Sequence, residues 1–390
     1  MVINRAIKVR IYPSKEQKLF MDNTLGACRY IYNKMLARNN KIYKRRKEHL
    51  TYNQMQNLLP VMKTYLHWLK EVDSQGLKYA CRNLDNAYKR FFKHESDYPR
   101  FKSKRGRQSY VTTNTNTIKY LNDDKNHISL PCLGIIKCRG KRKLPDDYKI
   151  CNATISKETD GKYYCSICYK YETDIKPQIL TEPKTIGLDF QIHGLYVDSN
   201  RRTLDFPKWY QDNLKRLARM QKFVARKHGS RKGEIKSNNF RKQQAKIAKL
   251  QHHIANQRLN FLHQQSNAIA KHYLAVCIED LSVKEMMLRV EDTHDRKLRR
   301  GTNKAYSNNG WYMFTKMLDY KLKQSGGQLI KVDKYFKSSQ TCHCCGAINP
   351  ITKDVQVKIW KCSNCNSILD RDNNAAINIK NEGMRILKIA

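Results

Sequence analysis

Two Cys-x-x-Cys pairs constrain the fold of this chain more than any other feature of its sequence. Cys342 and Cys345 form the first pair, and Cys362 and Cys365 form the second, 16 residues later. Tetrahedral Zn²⁺ takes four soft ligands, and each Cys-x-x-Cys turn places two thiolates on the same side of the ion. Gly346 follows the first pair, as a tight knuckle turn requires. The sequence therefore predicts one structural zinc ion, because four thiolates leave no open coordination position.

A third pair, Cys165 and Cys168, has the same spacing in a different context. It lies in the alternating stretch YYCSICYKY, which is typical of a β-strand, and a strand places residues three apart on opposite faces. Without a second pair nearby, these cysteines are interpreted as strand residues rather than metal ligands. The 13 cysteines are an odd number in a long chain, which favours a reducing compartment over a disulfide framework.

Positive charge limits the kind of partner that this chain can have. The 76 Lys and Arg residues exceed the 34 Asp and Glu residues by 42, and such a charge on a compact body repels itself strongly. A polyanion is therefore expected as partner, and nucleic acid is favoured over a membrane. No apolar run approaches the roughly 18 residues of a membrane span, and the start MVINR lacks a signal peptide. A non-secreted, cytoplasmic, nucleoid-associated protein is expected.

The first part of the chain is predicted to be a β-rich module with a helical insertion. Ala6–Tyr12 alternates as a strand does, and Ser14 with Gln17 predicts a capping box at the start of a helix. Two further helical patterns follow, the first with a break expected at Pro60. Residues 111–178 then have mainly strand patterns.

The remaining part alternates between strand and helix patterns. The segment TIGLDFQIHGLYV predicts two short strands around a turn, and Leu274–Ile278 predicts a buried strand. Long basic helices are predicted over Gln211–Lys227 and Asn238–His272, joined by a hairpin at HGSRKGEIKSN. A last helix is predicted over Asp370–Ile386. Residues 185–390 are therefore expected to form an α/β domain with one small insertion.

Four acidic residues stand out in a chain so poor in acids. Asp189 lies in IGLDF, Glu279 in LAVCIED, and Asp370 and Asp372 in LDRDNNAAIN. Singly, Asp189 could be a turn residue, Glu279 a surface charge and Asp372 a helix N-cap. Together they suggest carboxylates that converge at the strand ends of an α/β sheet. Two Mg²⁺ ions about 3.5–4 Å apart would neutralise them and act on a phosphodiester, which points to a nuclease.

Other catalytic patterns are weak. His193 and His343 are lone histidines, and His193 is interpreted as a turn residue. No Ser/His/Asp arrangement, P-loop or GxGxxG motif stands out, so no nucleotide cofactor is expected.

Several segments together resemble the TnpB family, transposon-encoded relatives of type V CRISPR effectors. They are AIKVRIYPSKEQ, TLGACRYIYNKML, WLKEVD, NLDNAYKRFF, YPRFKSKRGRQSY, IGLDF, IANQRLNFLH, EDLSVKEM, SSQTCHCCG, WKCSNCN and DRDNNAAINI. The similarity covers nearly the whole chain, and the order of the segments leaves little room for another family.

The resemblance implies an α/β fold class: an RNase H-like (RuvC) nuclease domain with a zinc-ribbon insertion. A β-rich wedge domain that contains a helical recognition insertion would precede it. The implied domains are residues 1–13 and 98–180 for the wedge, 14–97 for recognition, 181–338 and 369–390 for the nuclease, and 339–368 for the zinc ribbon.

The resemblance also implies RNA-guided cleavage of DNA. The guide would be a noncoding RNA from the transposon end, the substrate double-stranded DNA, and the particle a monomeric ribonucleoprotein in a prokaryotic cytoplasm. The family's three catalytic acids correspond to Asp189, Glu279 and Asp372, which would hold two Mg²⁺ ions, or Mn²⁺ in their place. Asp370 is expected beside the site.

Contacts with nucleic acid are expected both before and within the nuclease domain. By resemblance, a short flanking DNA motif would be read near Tyr52, Gln56, Ser74, Lys78, Thr115 and Asn116. The charge pattern suggests phosphate contacts at Arg100, Lys102, Lys104 and Arg105, and along the basic stretch Gln211–His272.

Two other functions stay open on the sequence alone. The chain could be an RNA-guided DNA-binding regulator without cleavage, although all three acids are present. It could also be a guide-independent RuvC-type nuclease or a transposase, although a resolvase would not need so large a basic wedge and recognition region.

Overall fold

The computed structural model describes residues 2–121, 126–140, 144–145, 147–227, 235–289, 296–354 and 356–388. The chain divides into two compact units, Met1–Asp174 and Ile175–Ala390. Each unit has its own hydrophobic core and its own sheet.

The first unit is built on a seven-stranded antiparallel sheet. Its strands are β1 (Val2–Tyr12), β2 (Gln108–Thr112), β3 (Lys119–Leu121), β4 (His127–Leu130), β5 (Gly134–Arg139), β6 (Lys149–Lys157) and β7 (Tyr163–Glu172). Their order is β2-β6-β7-β1-β5-β4-β3, so the first strand lies in the middle of the sheet. The alternation seen in the sequence sets its faces, because Ile7, Val9 and Ile11 are buried.

Three helices separate β1 from β2 and share the core of the first unit. They are α1 (Lys15–Arg46), α2 (Tyr52–Tyr65) and α3 (Ser74–Phe92). The predicted capping box is confirmed, since Ser14 and Gln17 exchange hydrogen bonds at the start of α1. The break expected at Pro60 is wrong: Pro60 is exposed within α2. Buried residues on both sides of it, Leu59 and Met62, hold the helix against the core despite the missing N–H.

The second unit contains a five-stranded sheet with a parallel centre. Its strands are β8 (Thr185–Phe190), β9 (Tyr196–Asp198), β10 (Thr203–Leu204), β11 (Ala275–Glu279) and β12 (Gln328–Val332), in the order β10-β9-β8-β11-β12. Strand β11 pairs in parallel with both β8 and β12. Carboxyl ends of parallel strands meet at one edge of a sheet, which is where ligands of open α/β sheets bind.

The described residues of the second unit include six α-helices: α4 (Lys208–Ala225), α5 (Asn238–His272), α6 (Val283–Arg289), α7 (Arg296–Asn309), α8 (Trp311–Gln324) and α9 (Arg371–Leu387). The hairpin predicted between α4 and α5 falls largely on residues 228–234, which lie outside the described residues. Sequence reasoning missed α6, which has seven residues, and α7, which has few apolar residues to reveal a helical pattern. Over the described ranges, no helix combines the length and apolar character needed to cross a bilayer.

A two-stranded ribbon lies between β12 and α9 in the chain. It consists of β13 (Ile359–Lys361) and β14 (Ile368–Asp370), which pair antiparallel. Trp360 and Leu369 are buried together with Cys342 and Cys362, one cysteine from each pair. Such a small core relies on a metal ion for much of its stability.

Helix α9 packs directly on the sheet at two glycines. A Cβ atom at Gly187 of β8 would overlap the backbone of Ala376 and Lys380, and one at Gly383 would overlap the side chain of Cys277 in β11. These close approaches fix the start of α9 next to the carboxyl ends of β8 and β11.

Replacing Gly187 with alanine should lower the free energy of unfolding by about 3 kcal/mol or more, because the new methyl group meets backbone that cannot yield without moving α9. Chemical denaturation measures this change. Gly301→Ala is the matched control, since Gly301 lies in α7 with open space around it and should gain up to about 1 kcal/mol. Equal losses in both variants would contradict the packing described.

Candidate functional site

Three elements of the second unit bring three acids to one edge of the sheet. Asp189 is the fifth residue of β8, and Glu279 is the last residue of the neighbouring parallel strand β11. Ile278 pairs with Leu188, so Glu279 and Asp189 are the next residues along the two paired strands. Asp372 lies in the first turn of α9. The convergence expected from the sequence is therefore present.

The pKa of Asp189 shows that the three carboxyl groups share one environment. Burial raises it well above its usual value, and the charges of Glu279 and Asp372 raise it further, while Arg371 and Lys358 act in the opposite direction. Burial also raises the pKa of Glu279, against a hydrogen bond from Ser338 and the charge of Arg371. Burial is therefore the first cause of both shifts, and the neighbouring charges act in addition to it.

Asp372 is held by three side chains. Lys358 Nζ lies 2.9 Å from its Oδ2 atom, and Gln191 Nε2 donates to the same oxygen at 3.1 Å. Arg371 lies 3.4 Å from Oδ1. Lys358 precedes the ribbon strand β13, so the ribbon region supplies one of the counter-charges.

Asp370 caps the helix that carries Asp372. Its Oδ1 atom accepts a hydrogen bond from the backbone N–H of Asn373 at 2.8 Å. The interpretation of Asp372 as N-cap is therefore wrong, and that role belongs to Asp370. Because the cap fixes the first turn of α9, Asp370 acts on the orientation of Asp372 through the backbone.

The acidic site fits divalent cations in its chemistry. Carboxylate oxygens are the ligands that Mg²⁺ prefers, and a cation would relieve the repulsion that burial of Asp189 creates. Asp189, Glu279 and Asp372 are therefore the residues that would hold such a cation.

The four predicted zinc ligands form one cluster. Among the described residues, Cys342, Cys345, Cys362 and Cys365 are the group of three or more potential ligands whose donor atoms all lie within 4.8 Å of one another. Sulfur–sulfur distances are 3.6 Å for Cys342–Cys365 and 3.7 Å for Cys345–Cys362. A tetrahedron with zinc–sulfur bonds of about 2.3 Å has edges of about 3.8 Å, so the cluster fits Zn²⁺.

The local chain conformation at these cysteines agrees with a metal knuckle. Gly346 has φ +75°, which glycine adopts without strain, and its N–H donates to the carbonyl oxygen of Cys342. The backbone N–H of Cys365 lowers the pKa of the Cys362 thiol to about 6, which favours the thiolate that zinc binds. Cys344 lies outside the cluster and is exposed.

The other cysteine pair and the lone histidines have different environments. Cys165 and Cys168 lie in β7, with Cys165 buried and Cys168 half-buried. His193 is exposed in the turn between β8 and β9. The Nδ1 atom of His343 lies 2.9 Å from Oδ1 of Asn374, which ties the first knuckle to α9.

The residues expected to read a flanking motif lie in the first unit. Tyr52 starts α2 under the guanidinium of Arg82, 4.8 Å from its ring centre, and Ser74 starts α3. Ser74 accepts a hydrogen bond from Lys63. Burial lowers the pKa of Lys63, and the charge of Lys78 lowers it further. The remaining members are Gln56, half-buried on α2, and Thr115 and Asn116, exposed in the turn after β2.

The basic segment between α3 and β2 is exposed but partly engaged within the protein. Lys102 Nζ packs 4.0 Å from the ring centre of Tyr32, and Arg100 lies 3.5 Å from Asp97. Lys104 and Arg105 are exposed. Lys102 is therefore a weaker candidate for a phosphate contact than its neighbours.

Sequence reasoning assigned no role to several residues that shape the two sites. Gln191, Lys358 and Arg371 contact Asp372, and Ser338 contacts Glu279. A signal was present for Ser338, which lies in the polar segment SSQ before the first cysteine pair, and for Arg371, which lies between Asp370 and Asp372.

Comparison with known proteins adds independent observations. Residues 1–48 match a family model described as "Helix-turn-helix domain", residues 166–290 one described as "Probable transposase", and residues 311–379 one described as "Cas12f1-like, TNB domain". The "Putative RNA-guided DNA endonuclease InsQ" of Escherichia coli K12 is 32% identical over 391 residues, covering 98% of this chain and 93% of InsQ. The chain belongs to the TnpB family. A relative of the same description from Streptomyces pristinaespiralis is 30% identical over 385 residues, covering 98% of this TnpB chain and 90% of the relative.

A solved structure confirms the fold class expected for this TnpB member. The Cas12f1 chain of a complex with single guide RNA and target DNA superposes with a TM-score of 0.52 over 97% of this chain and 99% of its own, at 15% identity. The α/β fold class is therefore confirmed, and the TNB domain match over residues 311–379 includes the four-cysteine ribbon.

Cys362→Ser should lower bound zinc well below one ion per chain and lower the melting temperature, because a structural zinc contributes directly to folding. Elemental analysis and thermal denaturation measure both effects. Cys344→Ser is the matched control, since it changes a cysteine between two ligands that lies outside the cluster. Loss of zinc in the control, or unchanged zinc in Cys362→Ser, would refute the ligand set.

Asp189→Asn should stabilise the zinc-loaded protein near neutral pH when no other divalent metal is present. The folded pKa is raised, so the carboxyl group costs stability above its ordinary pKa, and the cost disappears as pH falls toward that value. The expected gain is about 1 kcal/mol or more near pH 7.5, shrinking on acidification. Urea denaturation across pH tests this, and a gain independent of pH would contradict the electrostatic cause.

Proposed function

We propose that this chain is an RNA-guided DNA endonuclease that cleaves through Asp189, Glu279 and Asp372. The convergence of these three acids at the edge of the second sheet carries the proposal. An acidic cluster would repel DNA unless it worked with cations, and the rest of the chain is strongly basic. The similarity to InsQ, which is described as a "Putative RNA-guided DNA endonuclease", supports the same activity.

The catalytic cofactor proposed is a pair of Mg²⁺ ions, with Mn²⁺ as a substitute. Asp189, Glu279 and Asp372 would hold them, and bound ions would supply positive charge for the attacking and leaving oxygens of the phosphodiester. Gln191 keeps Asp372 oriented through its hydrogen bond to Oδ2. Lys358 shares that oxygen, so a cation binding there would free its ammonium group for a phosphate. Arg371 offers a second donor beside the same carboxylate.

The proposed guide is a noncoding RNA from the transposon end, and the target is double-stranded DNA. Base pairing with the guide would read the sequence, while the protein contacts backbone and a short flanking motif. A net charge of +42 suits a protein that must neutralise many phosphates. Motif contacts are proposed for Tyr52, Gln56, Ser74, Lys78, Thr115 and Asn116, and phosphate contacts for Arg100, Lys104 and Arg105.

Domain roles follow the same proposal. Residues 1–13 and 98–180 would form the wedge domain, and 14–97 the recognition domain. Residues 181–338 and 369–390 would form the nuclease, with a structural Zn²⁺ in the ribbon at 339–368. The boundary between the two compact units, at Asp174 and Ile175, lies close to the proposed end of the wedge.

Asp189→Ala should reduce DNA cleavage by at least about a thousandfold while guide-dependent DNA binding stays unchanged, because only the reacting site loses a ligand. The experiment purifies the protein with its native locus, sequences the bound RNA, and assays binding and cleavage of a matching target. Asp319→Ala is the control, since Asp319 is an ion-paired acid of α8.

Three results would contradict the proposal. Undiminished cleavage by Asp189→Ala would remove this residue from the site. Guided binding without cleavage by the unmodified protein in Mg²⁺ or Mn²⁺ would identify a regulator. Cleavage that needs no RNA would identify a guide-independent nuclease.

A further inference from the structure

Helix α9 is hydrogen-bonded to residues 338–343, the segment that leads into the first zinc knuckle. The Nδ2 atom of Asn378 donates to the carbonyl oxygens of Ser338 and Thr341 at 2.8 and 2.6 Å. Asn374 donates to the same two oxygens, at 3.4 and 2.8 Å, and its Oδ1 atom accepts the backbone N–H of His343 at 3.0 Å. Residues 338–343 are thereby fixed to the helix that also carries Asp372.

These carboxamides are unusual in their burial. Asn374 is 1% exposed and Asn378 is 5% exposed, on the face of α9 that a packed helix normally fills with apolar residues. A buried amide destabilises a protein unless its hydrogen bonds are made, and here each one is directed at the same short segment. Apolar residues would pack this face of α9 without any need for hydrogen bonds. The two asparagines instead hold residues 338–343 in place through the hydrogen bonds that they donate and accept.

Residues 338–343 contact the acidic site through the hydroxyl group of Ser338. Ser338 is 5% exposed, and its Oγ atom donates a hydrogen bond of 2.5 Å to Oε1 of Glu279. Glu279 ends its strand and has a flexible side chain, so a donor at a fixed position selects one orientation of its carboxylate. The carbonyl oxygen of Ser338 is held by α9 while its hydroxyl holds Glu279.

We propose that Ser338 is a positioning residue for Glu279, and that Asn374 and Asn378 set its position by tying the zinc knuckle to α9. The inference rests on the proposed nuclease function of Glu279. In this proposal the zinc ribbon supports the catalytic site. The segment that enters the first zinc knuckle also fixes the orientation of the Glu279 carboxylate, which would hold the catalytic metal. Groups that orient metal ligands typically contribute a factor of about 10–100 in metal affinity or activity.

The test compares Ser338→Ala with Ser338→Thr, which keeps the hydroxyl, and with Ser339→Ala, which removes the same atom one residue further along. Four quantities are measured for each: zinc per chain, Kd for guided target DNA, kcat for cleavage, and Mn²⁺ binding to the protein without nucleic acid by electron paramagnetic resonance. Ser338→Ala should lose about 10–100-fold in Mn²⁺ affinity or kcat, with zinc content and target Kd unchanged. Ser338→Thr should restore most of the loss, and Ser339→Ala should behave as the unmodified protein.

The link to the zinc knuckle is tested by the double variant Ser338→Ala, Asn378→Ala. If both residues act on Glu279 through one connection, the double variant should lose little more in Mn²⁺ affinity than the worse single variant. If the fold-losses in Mn²⁺ affinity of the two single variants multiply in the double variant, the two residues act independently. That result would overturn the proposed connection between Asn378 and Ser338.

Two other outcomes would overturn the proposal. Ser338→Ala could bind Mn²⁺ and cleave as the unmodified protein does, or it could lose zinc and target binding, which would make Ser338 a folding residue. If the unmodified protein does not cleave guided DNA at all, the proposed function fails, but the Mn²⁺ measurement still decides whether Ser338 orients Glu279.

Discussion

The packing of α9 on the second sheet is the constraint on which both sites depend. At Gly187 the backbone of α9 lies against β8 with no side chain between them, and at Gly383 the helix lies against the side chain of Cys277 in β11. This contact brings Asp372 beside the strand-end acids Asp189 and Glu279. The same helix, through its buried asparagines, holds the chain that enters the zinc knuckle. One tightly packed helix thus aligns the acidic site and the ribbon together.

Electrostatics explains how a chain with a formal charge of +42 can contain a cluster of acids. Burial and mutual repulsion raise the pKa of Asp189, so the acids would be unfavourable without nearby cations. Arg371 and Lys358 supply part of that charge. A divalent cation bound there would add further positive charge beside these carboxylates.

Residues with a fixed spacing in the sequence were predictable, and contacts between distant residues were not. The cysteine pairs, the capping box of Ser14 and the strand-end acids each follow from local patterns. Pro60 inside α2 is explained by tertiary packing, which overrides a local preference. The contact of Ser338 with Glu279 joins residues 59 apart, and its existence depends on how α9 sits on the sheet. The sequence did not show whether Asp370 or Asp372 is the N-cap of α9. The answer depends on the residue at which the helix begins, and sequence patterns locate a helix end only to within one or two residues.

The most direct test of the acidic metal site is anomalous X-ray diffraction from crystals of the protein grown with Mn²⁺. Asp189, Glu279 and Asp372 are expected to surround one or two anomalous peaks, with Lys358 displaced from the Oδ2 atom of Asp372 that it contacts here. Mn²⁺ peaks elsewhere in the crystal with none between these three carboxylates would contradict the account.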